Sequence, residues 1–262
     1  MPWVSVGDTR LYYQARGKGP ALVFAHGAGG NHLSWWQQVP FFAEQYRCLV
    51  FDHRAFGRSV DAPEPKGRRA FAEDLRQLLD HLGIERTAIV AQSMGGRTAV
   101  GFALRNPGRV CALVLAGTTG GAVNDDVRAA QVAHSRSDTG RRSLARRAIA
   151  PRLRRERPEL AYLYRLIGRL NPPRPQDFLA PIPGYRGNSA QRLAELGVPI
   201  LFLVGEEDAV TPPHIVRMAH QLVPGSEFDV VEDAGHSAYF ERSEGFNQRV
   251  ARFLAEVSWA PA

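Results

Sequence analysis

One stretch of the chain decides which fold the sequence can adopt: Ala88-Ile89-Val90-Ala91-Gln92-Ser93-Met94-Gly95-Gly96-Arg97-Thr98-Ala99-Val100. An apolar, β-prone run ends abruptly at Ser93, two glycines follow, and a helix-compatible segment begins. This order predicts a buried strand, a tight turn and a helix, with Ser93 at the apex of the turn. Such a turn projects the serine Oγ into open space and directs a helix N-terminus toward it. An ordinary strand-to-helix turn is the alternative that this stretch alone leaves open.

Strand-like and helical patterns alternate on both sides of this stretch. Runs typical of strands cover 3–6, 10–16, 21–25, 48–51, 110–115, 199–204 and 228–231, and helical spacing covers 34–45, 69–82, 213–222 and 243–256. Strands that alternate with helices through short loops predict an α/β fold with a mostly parallel sheet. The loops that follow these strands should gather at one edge of the sheet, which is where such folds bind ligands.

The pattern changes after Gly117. Residues 123–195 are helical and rich in arginine, are broken by prolines, and contain no run typical of a buried strand. We therefore expect two units: a core domain made of residues 1–120 and 197–262, and a helical cap, residues 121–196, inserted over the carboxyl edge of the sheet.

The composition narrows the classes of partner. The chain has 262 residues and a net charge of +7, and much of its arginine lies between Arg128 and Arg192. A nucleic-acid or membrane patch, attraction of an anionic substrate, and a solvated helical surface are three interpretations. No zinc spacing, phosphate loop or RNA-binding motif accompanies the charge, so the sequence predicts no nucleic-acid partner and favours a solvated surface.

The N-terminal residues do not resemble a signal peptide, and no apolar run approaches the length that spans a bilayer. We therefore expect a soluble, cytoplasmic protein without a membrane partner, either a monomer or a homodimer. Cys48 and Cys111 lie in apolar runs and are expected to be buried free thiols.

A serine becomes a nucleophile at neutral pH only beside a base. The candidate base is His236, in a glycine-containing loop directly after the last predicted strand. The candidate acid that orients it is Asp208, which follows the strand at 199–204. Glu206 and Glu207 are rivals for the acid role. The order Ser93, Asp208, His236 is that of hydrolases whose nucleophile sits on such a turn.

A tetrahedral intermediate needs two N–H donors for its oxyanion. Met94 N follows Ser93 at a helix N-terminus, and Ala28 N lies in the loop His26-Gly27-Ala28-Gly29-Gly30. The His26 ring is expected to brace this loop by hydrogen bonds. The loop lacks the Gly-Lys-Ser/Thr sequence of a phosphate loop and the third glycine of a dinucleotide-binding fingerprint.

Several motifs together resemble the α/β-hydrolase fold superfamily over residues 10–257. The 26–30 loop is similar to its His-Gly oxyanion loop, and Ser93 on its turn, Asp208 and His236 match its triad positions. Asp52-His53-Arg54-Ala55-Phe56-Gly57-Arg58-Ser59 is similar to its Asp-x-Arg-Gly-x-Gly-x-Ser turn, with Ala55 where glycine is usual. The resemblance implies an eight-stranded sheet flanked by helices, with an inserted cap.

The resemblance also implies an activity. Family members with an aspartate nucleophile, the haloalkane dehalogenases and epoxide hydrolases, are disfavoured by Ser93. Enzymes that hydrolyse C–C bonds of ring-cleavage products usually carry a Gly-Pro-Gly-like loop and asparagine before the serine, where this chain has Ala28-Gly29-Gly30 and Gln92. We therefore expect hydrolysis of a small carboxylic ester or lactone, neutral or anionic, without a metal or cofactor. C–C bond hydrolysis and a non-catalytic ligand sensor are the alternatives.

The residues that would select the substrate are the hardest to predict from the sequence. Trp36 and Tyr239 are the candidates for its binding pocket. Arg97 lies one helical turn beyond Ser93, and we expect its side chain to run along the helix instead of facing the substrate.

Overall fold

An eight-stranded sheet forms the centre of the structure, a computed structural model that describes residues 2–61, 66–174, 178 and 190–259. Its strands are β1 (Trp3–Val6), β2 (Thr9–Arg16), β3 (Ala21–Ala25), β4 (Arg47–Phe51), β5 (Thr87–Gln92), β6 (Val110–Ala116), β7 (Ile200–Gly205) and β8 (Glu227–Val231). Their order across the sheet is β1-β2-β4-β3-β5-β6-β7-β8. The pairs β1·β2 and β2·β4 are antiparallel and all the other pairs are parallel. The predicted α/β fold with a mostly parallel sheet is confirmed.

Helices connect the strands. They are α1 (Gln38–Phe42), α2 (Phe71–His81), α3 (Met94–Arg105), α4 (Asp125–Arg136), α5 (Leu144–Arg147), α6 (Pro151–Glu156), α7 (Pro158–Arg169), α8 (Ala190–Ala194), α9 (Pro213–Gln221), α10 (Ala238–Glu241) and α11 (Ser243–Ala255). In the described part of the chain, the segment between β6 and β7 contains α4 to α8 and no strand. No described helix is long and apolar enough to cross a membrane.

The sheet is buried on both faces, and this is why its central strands are continuously apolar. On β5, Ile89 and Ala91 belong to the core that packs against α2, α3 and α9, whereas Ala88 and Val90 belong to the core that packs against α1 and α11. Cys48 and Cys111 are buried free thiols, as expected.

The region predicted as a single helix at 34–45 differs from the prediction. It consists of a 3₁₀ turn, His32–Trp35, followed by the short helix α1. The 3₁₀ turn is closed by Asn31, whose side chain accepts from Leu33 N and whose backbone N–H donates to Ser34 Oγ. Asn31 therefore caps a short helical segment that begins before the predicted helix start at residue 34.

The strand order places the site. In the sheet, β4 lies on one side of β3 and β5 lies on its other side, so the direction in which successive strands are added reverses between β3 and β5. The loops after β3, β5, β6, β7 and β8 meet at the carboxyl edge beside this point. Open parallel sheets bind their ligands at such a position.

Candidate active site

Ser93 lies at the turn between β5 and α3, as the sequence predicts. Its backbone adopts φ 50° and ψ −111°, a strained combination for a residue that carries a Cβ. Hydrogen bonds hold the turn on both sides: Ser93 N donates to Ala116 O over 2.8 Å, and Gly96 N donates to Ser93 O over 3.0 Å. The side chain is half-buried and lines a cavity.

Small neighbours make this turn possible. A Cβ on Gly95 would lie 2.2 Å from the carbonyl oxygen of Ala25, and a Cβ on Gly27 would lie 3.2 Å from the Cβ of Ser93. The end of β3, the loop that follows it and the start of α3 therefore approach one another more closely than side chains would allow. Ala91, where the sequence keeps a small residue before the turn, is fully buried.

His236 and Asp208 form a buried hydrogen-bonded pair. Nδ1 of His236 lies 2.8 Å from Oδ2 of Asp208, and the two residues are 5% and 3% exposed. The other carboxylate oxygen accepts from Val210 N at 2.7 Å and from Thr211 N at 2.8 Å. A carboxylate only accepts, so Nδ1 of His236 carries the proton and Nε2 keeps a lone pair for a proton from elsewhere.

The two rival acids have other partners. Glu206 accepts from Asp233 N over 3.1 Å, and Glu207 accepts from the guanidinium of Arg152 over 3.2 Å. Of the three acidic candidates in this loop, Asp208 is therefore the one that forms a hydrogen bond with His236.

The His236 loop contacts the end of β5 and the loop after β6, and sequence reasoning assigned neither contact. Gln92 Nε2 donates to the carbonyl oxygen of His236 over 3.2 Å. Gly117 lines the cavity with Ser93, and a Cβ on it would lie 3.1 Å from Nδ1 of His236 and 3.2 Å from Oδ2 of Asp208. Gly117 also has φ +59°, so both its backbone and the space around it suit glycine.

Glu241 is a buried carboxylate that the sequence did not mark as functional. It accepts from Ser237 N over 3.3 Å, directly after His236, and from Ala150 N over 2.8 Å, between α5 and α6. Burial raises the pKa of Glu241 to about 7. The residue therefore ties the His236 loop to the helical segment between β6 and β7.

The glycine loop after β3 is braced by His26, as predicted. Nδ1 of His26 lies 2.9 Å from Gly27 O, and Nε2 accepts from His53 N over 3.1 Å. Burial lowers the pKa of His26 to about 4, which fits a neutral ring that donates at one nitrogen and accepts at the other.

The N–H groups of Ala28 and Met94 are open. Among the hydrogen bonds between described residues, Gly30 N donates within the loop and Gly96 N within the turn, but neither Ala28 N nor Met94 N donates to an acceptor. Met94 is the first residue of α3, where backbone N–H groups lack intrahelical partners and the helix dipole favours negative charge.

A cavity of about 400 Å³ opens beside Ser93. Its described lining comes from the segment around α2, from α3, from the loop after β6 and from one residue each of α4 and the loop after β7: Arg68, Arg69, Phe71, Ala72, Ser93, Met94, Arg97, Thr98, Gly101, Arg105, Gly117, Thr118, Thr119, Gln131 and Thr211. We expected Arg97 to run along the helix instead of facing the substrate, but it belongs to this lining. Helical side chains lean toward the helix N-terminus, so a residue four positions after Ser93 leans back toward it.

The two aromatic candidates for substrate binding lie away from this cavity. Trp36 is 42% exposed and packs edge-on against Phe240, with 6.3 Å between ring centroids. Tyr239 is 3% exposed and packs against Trp35, with tilted rings and 4.5 Å between their centroids, inside the core beneath α11. Neither belongs to the described lining of the cavity, because packing between the 3₁₀ turn and α10 uses both rings.

Helices between β6 and β7 contact the loops of the carboxyl edge. Asn171, after α7, donates to Gly29 O over 2.8 Å, and Asn31 donates to Ile167 O over 2.9 Å. Ser237 Oγ donates to the hydroxyl of Tyr164 over 2.9 Å. With Gln131 of α4 in the cavity wall, the segment reaches the glycine loop, the His236 loop and the cavity.

Comparison with known proteins agrees with this architecture. A family model described as the alpha/beta hydrolase fold matches residues 20–243. A 2-hydroxy-6-oxononadienedioate/2-hydroxy-6-oxononatrienedioate hydrolase of Paraburkholderia xenovorans is 30% identical over 95% of this chain and 92% of its own.

Solved structures give the same result. A thermophilic esterase from Thermogutta terrifontis, with malate bound, matches with a TM-score of 0.80 and 27% identity over 97% of this chain and 96% of its own. Est816, described as an N-acyl homoserine lactone degrading enzyme, matches with a TM-score of 0.77 and 28% identity over 96% of this chain and 100% of its own. The family match covers most of the chain and coincides with the observed sheet, so this chain belongs to the α/β-hydrolase fold family and is a hydrolase of that fold.

Proposed function

We propose that the chain hydrolyses a carboxylic ester or lactone through Ser93, His236 and Asp208. One observation carries the proposal: the serine stands on a strained turn beside an open helix N-terminus, and the preceding residue, Gln92, bonds the loop that holds a buried histidine oriented by a carboxylate. The resemblance to an esterase and a lactone-degrading enzyme, each at more than 25% identity, supports this class of substrate.

The proposed mechanism uses the same groups in both half-reactions. Nε2 of His236 takes the proton of Ser93 as Oγ attacks the carbonyl carbon, and Asp208 stabilises the resulting imidazolium. The N–H groups of Met94 and Ala28 donate to the oxyanion. The tetrahedral intermediate then collapses, His236 protonates the leaving alkoxide, and an acyl ester remains on Ser93.

Water completes the cycle by the same steps. His236 removes a proton from water, the hydroxide oxygen attacks the acyl carbonyl, and the oxyanion returns to the same two N–H donors. Collapse breaks the bond to Ser93 Oγ, which recovers its proton from His236. The side chains named here carry every proton transfer.

In this proposal, the helices between β6 and β7 form a cap over the site. Residues 121–196 would form this cap on a core of residues 1–120 and 197–262. The contacts of Asn171, Ile167 and Tyr164 with edge loops support this division, because they place the segment against the proposed oxyanion loop and the His236 loop.

A C–C bond hydrolase is the second candidate. The dienedioate hydrolase at 30% identity favours it. Gln92 and Ala28 argue for the ester hydrolase, because C–C hydrolases usually carry other residues at these two positions. Incubation with 2-hydroxy-6-oxononadienedioate separates the two: loss of this compound at a higher kcat/KM than any ester would reverse their order.

The test of the proposed function is turnover of short 4-nitrophenyl esters by the wild type and by Ser93→Ala. We expect the substitution to lower kcat at least about 10³-fold, since the residual rate would come only from binding and the oxyanion donors. Ser5→Ala, on the exposed face of β1, should retain the wild-type rate.

A fluorophosphonate provides a second readout that needs no chosen substrate. The wild type and Ser5→Ala should gain one phosphonyl group in the intact mass, and Ser93→Ala should gain none. A folded wild type that neither turns over a broad ester panel nor takes up the phosphonate would contradict the proposal and favour a ligand sensor.

A further inference from the structure

Four arginines line the cavity beside Ser93: Arg68, Arg69, Arg97 and Arg105. The other described residues of the wall are apolar side chains, glycines, a serine, four threonines and a glutamine, with no aspartate or glutamate among them. A partly enclosed space lined by several positive charges concentrates the field and attracts an anion.

Helix α3 carries two of these charges into the cavity that Ser93 lines. Arg97 lies four residues after Ser93, about 40° around the helix axis, and Arg105 lies eight residues after Arg97, about 80° further around. Their side chains lean toward the helix N-terminus, and so toward Ser93. Gly101 leaves room between the two arginines, since a Cβ on it would lie 3.5 Å from Nη1 of Arg105.

Arg97 differs from the arginines that serve the fold. Arg54 is buried and bonds Asp74 at 2.6 Å, and Arg249 bonds Asp229 at 2.7 Å. Arg97 is exposed to the cavity and forms no hydrogen bond or ion pair with any described residue. Its planar set of N–H donors is therefore available to a ligand, and that set matches the two oxygens of a carboxylate.

We propose that the substrate carries a carboxylate a few bonds from the carbonyl that Ser93 attacks, and that Arg97 binds this carboxylate. The proposal rests on the proposed role of Ser93 as nucleophile. The Cα of Arg97 lies about 6 Å beyond that of Ser93 along the α3 axis. The Arg97 side chain leans back from there toward Ser93. A glutaryl group, whose two carboxyl carbons lie about 5 Å apart when extended, is the probe for a carboxylate held near the reacting carbonyl. Arg69 and Arg105, which also line the cavity, add to the attraction of an anion.

Two matched substrate pairs test the proposal on either side of the ester. The acyl pair is 4-nitrophenyl hydrogen glutarate and neutral 4-nitrophenyl hexanoate, and the alcohol pair is 4-acetoxybutanoate and neutral pentyl acetate. We expect the wild type to prefer the charged member of at least one pair by about tenfold or more in kcat/KM, the effect of one charge-assisted bidentate contact. Added salt should reduce this preference.

Variants assign the preference to Arg97. Arg97→Gln should reduce the ratio of charged to neutral kcat/KM by about tenfold, and Arg97→Lys, which keeps the charge without the planar fork, should give an intermediate ratio. Arg252→Gln, on an exposed position of α11 outside the described cavity wall, should keep the wild-type ratio. The absence of any preference in both pairs, or a preference equal in wild type and Arg97→Gln, would overturn the proposal.

Calorimetric titration with glutarate separates this proposal from the proposed function, because binding needs no turnover. Glutarate binding that weakens about tenfold in Arg97→Gln would support the anion site even if no ester were hydrolysed. In that case only the proposed ester hydrolase activity would be rejected. Turnover of neutral esters without glutarate binding would leave the hydrolase standing and remove the anion site.

Discussion

Ala55 occupies a backbone conformation that alanine seldom adopts. Its φ is 62°, in the left-handed region, and it lies in the turn after β4 where the superfamily usually has glycine. The departure noted in the sequence therefore has a physical consequence, since a Cβ in this region costs about 1–2 kcal/mol. The turn keeps its shape because Asp52 accepts from His32 N at 2.6 Å and from Arg58 N at 2.8 Å.

Replacing Ala55 by glycine should stabilise the protein. Relief of the left-handed strain exceeds the greater entropy of glycine in the unfolded chain, so we expect the free energy of unfolding to rise by about 0.5–1 kcal/mol. Urea denaturation measures this change. The same exchange at Ala251, inside α11, should lower the unfolding free energy by about 1 kcal/mol. Equal destabilisation by both substitutions would show that the turn does not strain Ala55.

At the scale of elements, α3 links the proposed nucleophile to the proposed anion site. The helix begins directly after Ser93 and carries Arg97 and Arg105, which line the same cavity as the serine. Its direction is fixed by close packing at its first turn, where Gly95 meets the carbonyl oxygen of Ala25 at the end of β3. A shift of α3 would therefore move the serine, an oxyanion donor and the arginines together.

Gly95→Ala should disturb this packing more than a methyl group disturbs other helices. Its Cβ would lie 2.2 Å from a backbone oxygen, so either β3 or α3 must move, and overpacking of this kind costs about 1–3 kcal/mol. We expect loss of stability in urea together with at least about tenfold lower esterase kcat. Gly245→Ala in α11, where nothing lies within 4 Å of an added Cβ, should leave kcat unchanged and raise stability slightly. Matching behaviour of the two variants would refute the close-packing argument.

At the scale of the whole molecule, local sequence signals predicted the sheet well. The strand ends and the Ser93 turn follow from apolar periodicity and glycine placement, which act over a few residues. Long-range proximity was harder to predict. Gly117, Gln92 and Glu241 lie far from one another in sequence, and they matter because the carboxyl edge brings their loops together. Arg97 was expected to run along the helix because it lies one turn beyond Ser93, whereas helical side chains lean toward the helix N-terminus and Arg97 lines the cavity.

Glu241 connects two parts of the molecule by accepting N–H bonds from the His236 loop and from the segment between α5 and α6. Burial, with a smaller contribution from the negative charge of Asp208, raises its pKa from 4.5 to about 7. The folded protein therefore binds a proton more tightly at this site than the unfolded chain does. Between pH 4.5 and about 7 the native state holds the extra proton, so this group makes the protein less stable as pH rises through that window.

Glu241→Gln should remove that contribution. The buried histidines His26 and His53 act in the opposite direction, because their lowered pKa values reduce stability as pH falls below 6.5. The informative quantity is therefore the difference in unfolding free energy between wild type and Glu241→Gln, measured in urea from pH 5 to pH 8. A pKa shift from 4.5 to about 7 predicts that wild type loses up to about 3 kcal/mol relative to the variant across this range. Glu44→Gln, at an exposed position, should show a constant difference from wild type. A constant difference for Glu241→Gln as well would mean that the carboxylate is charged throughout, and that its backbone N–H donors outweigh its burial.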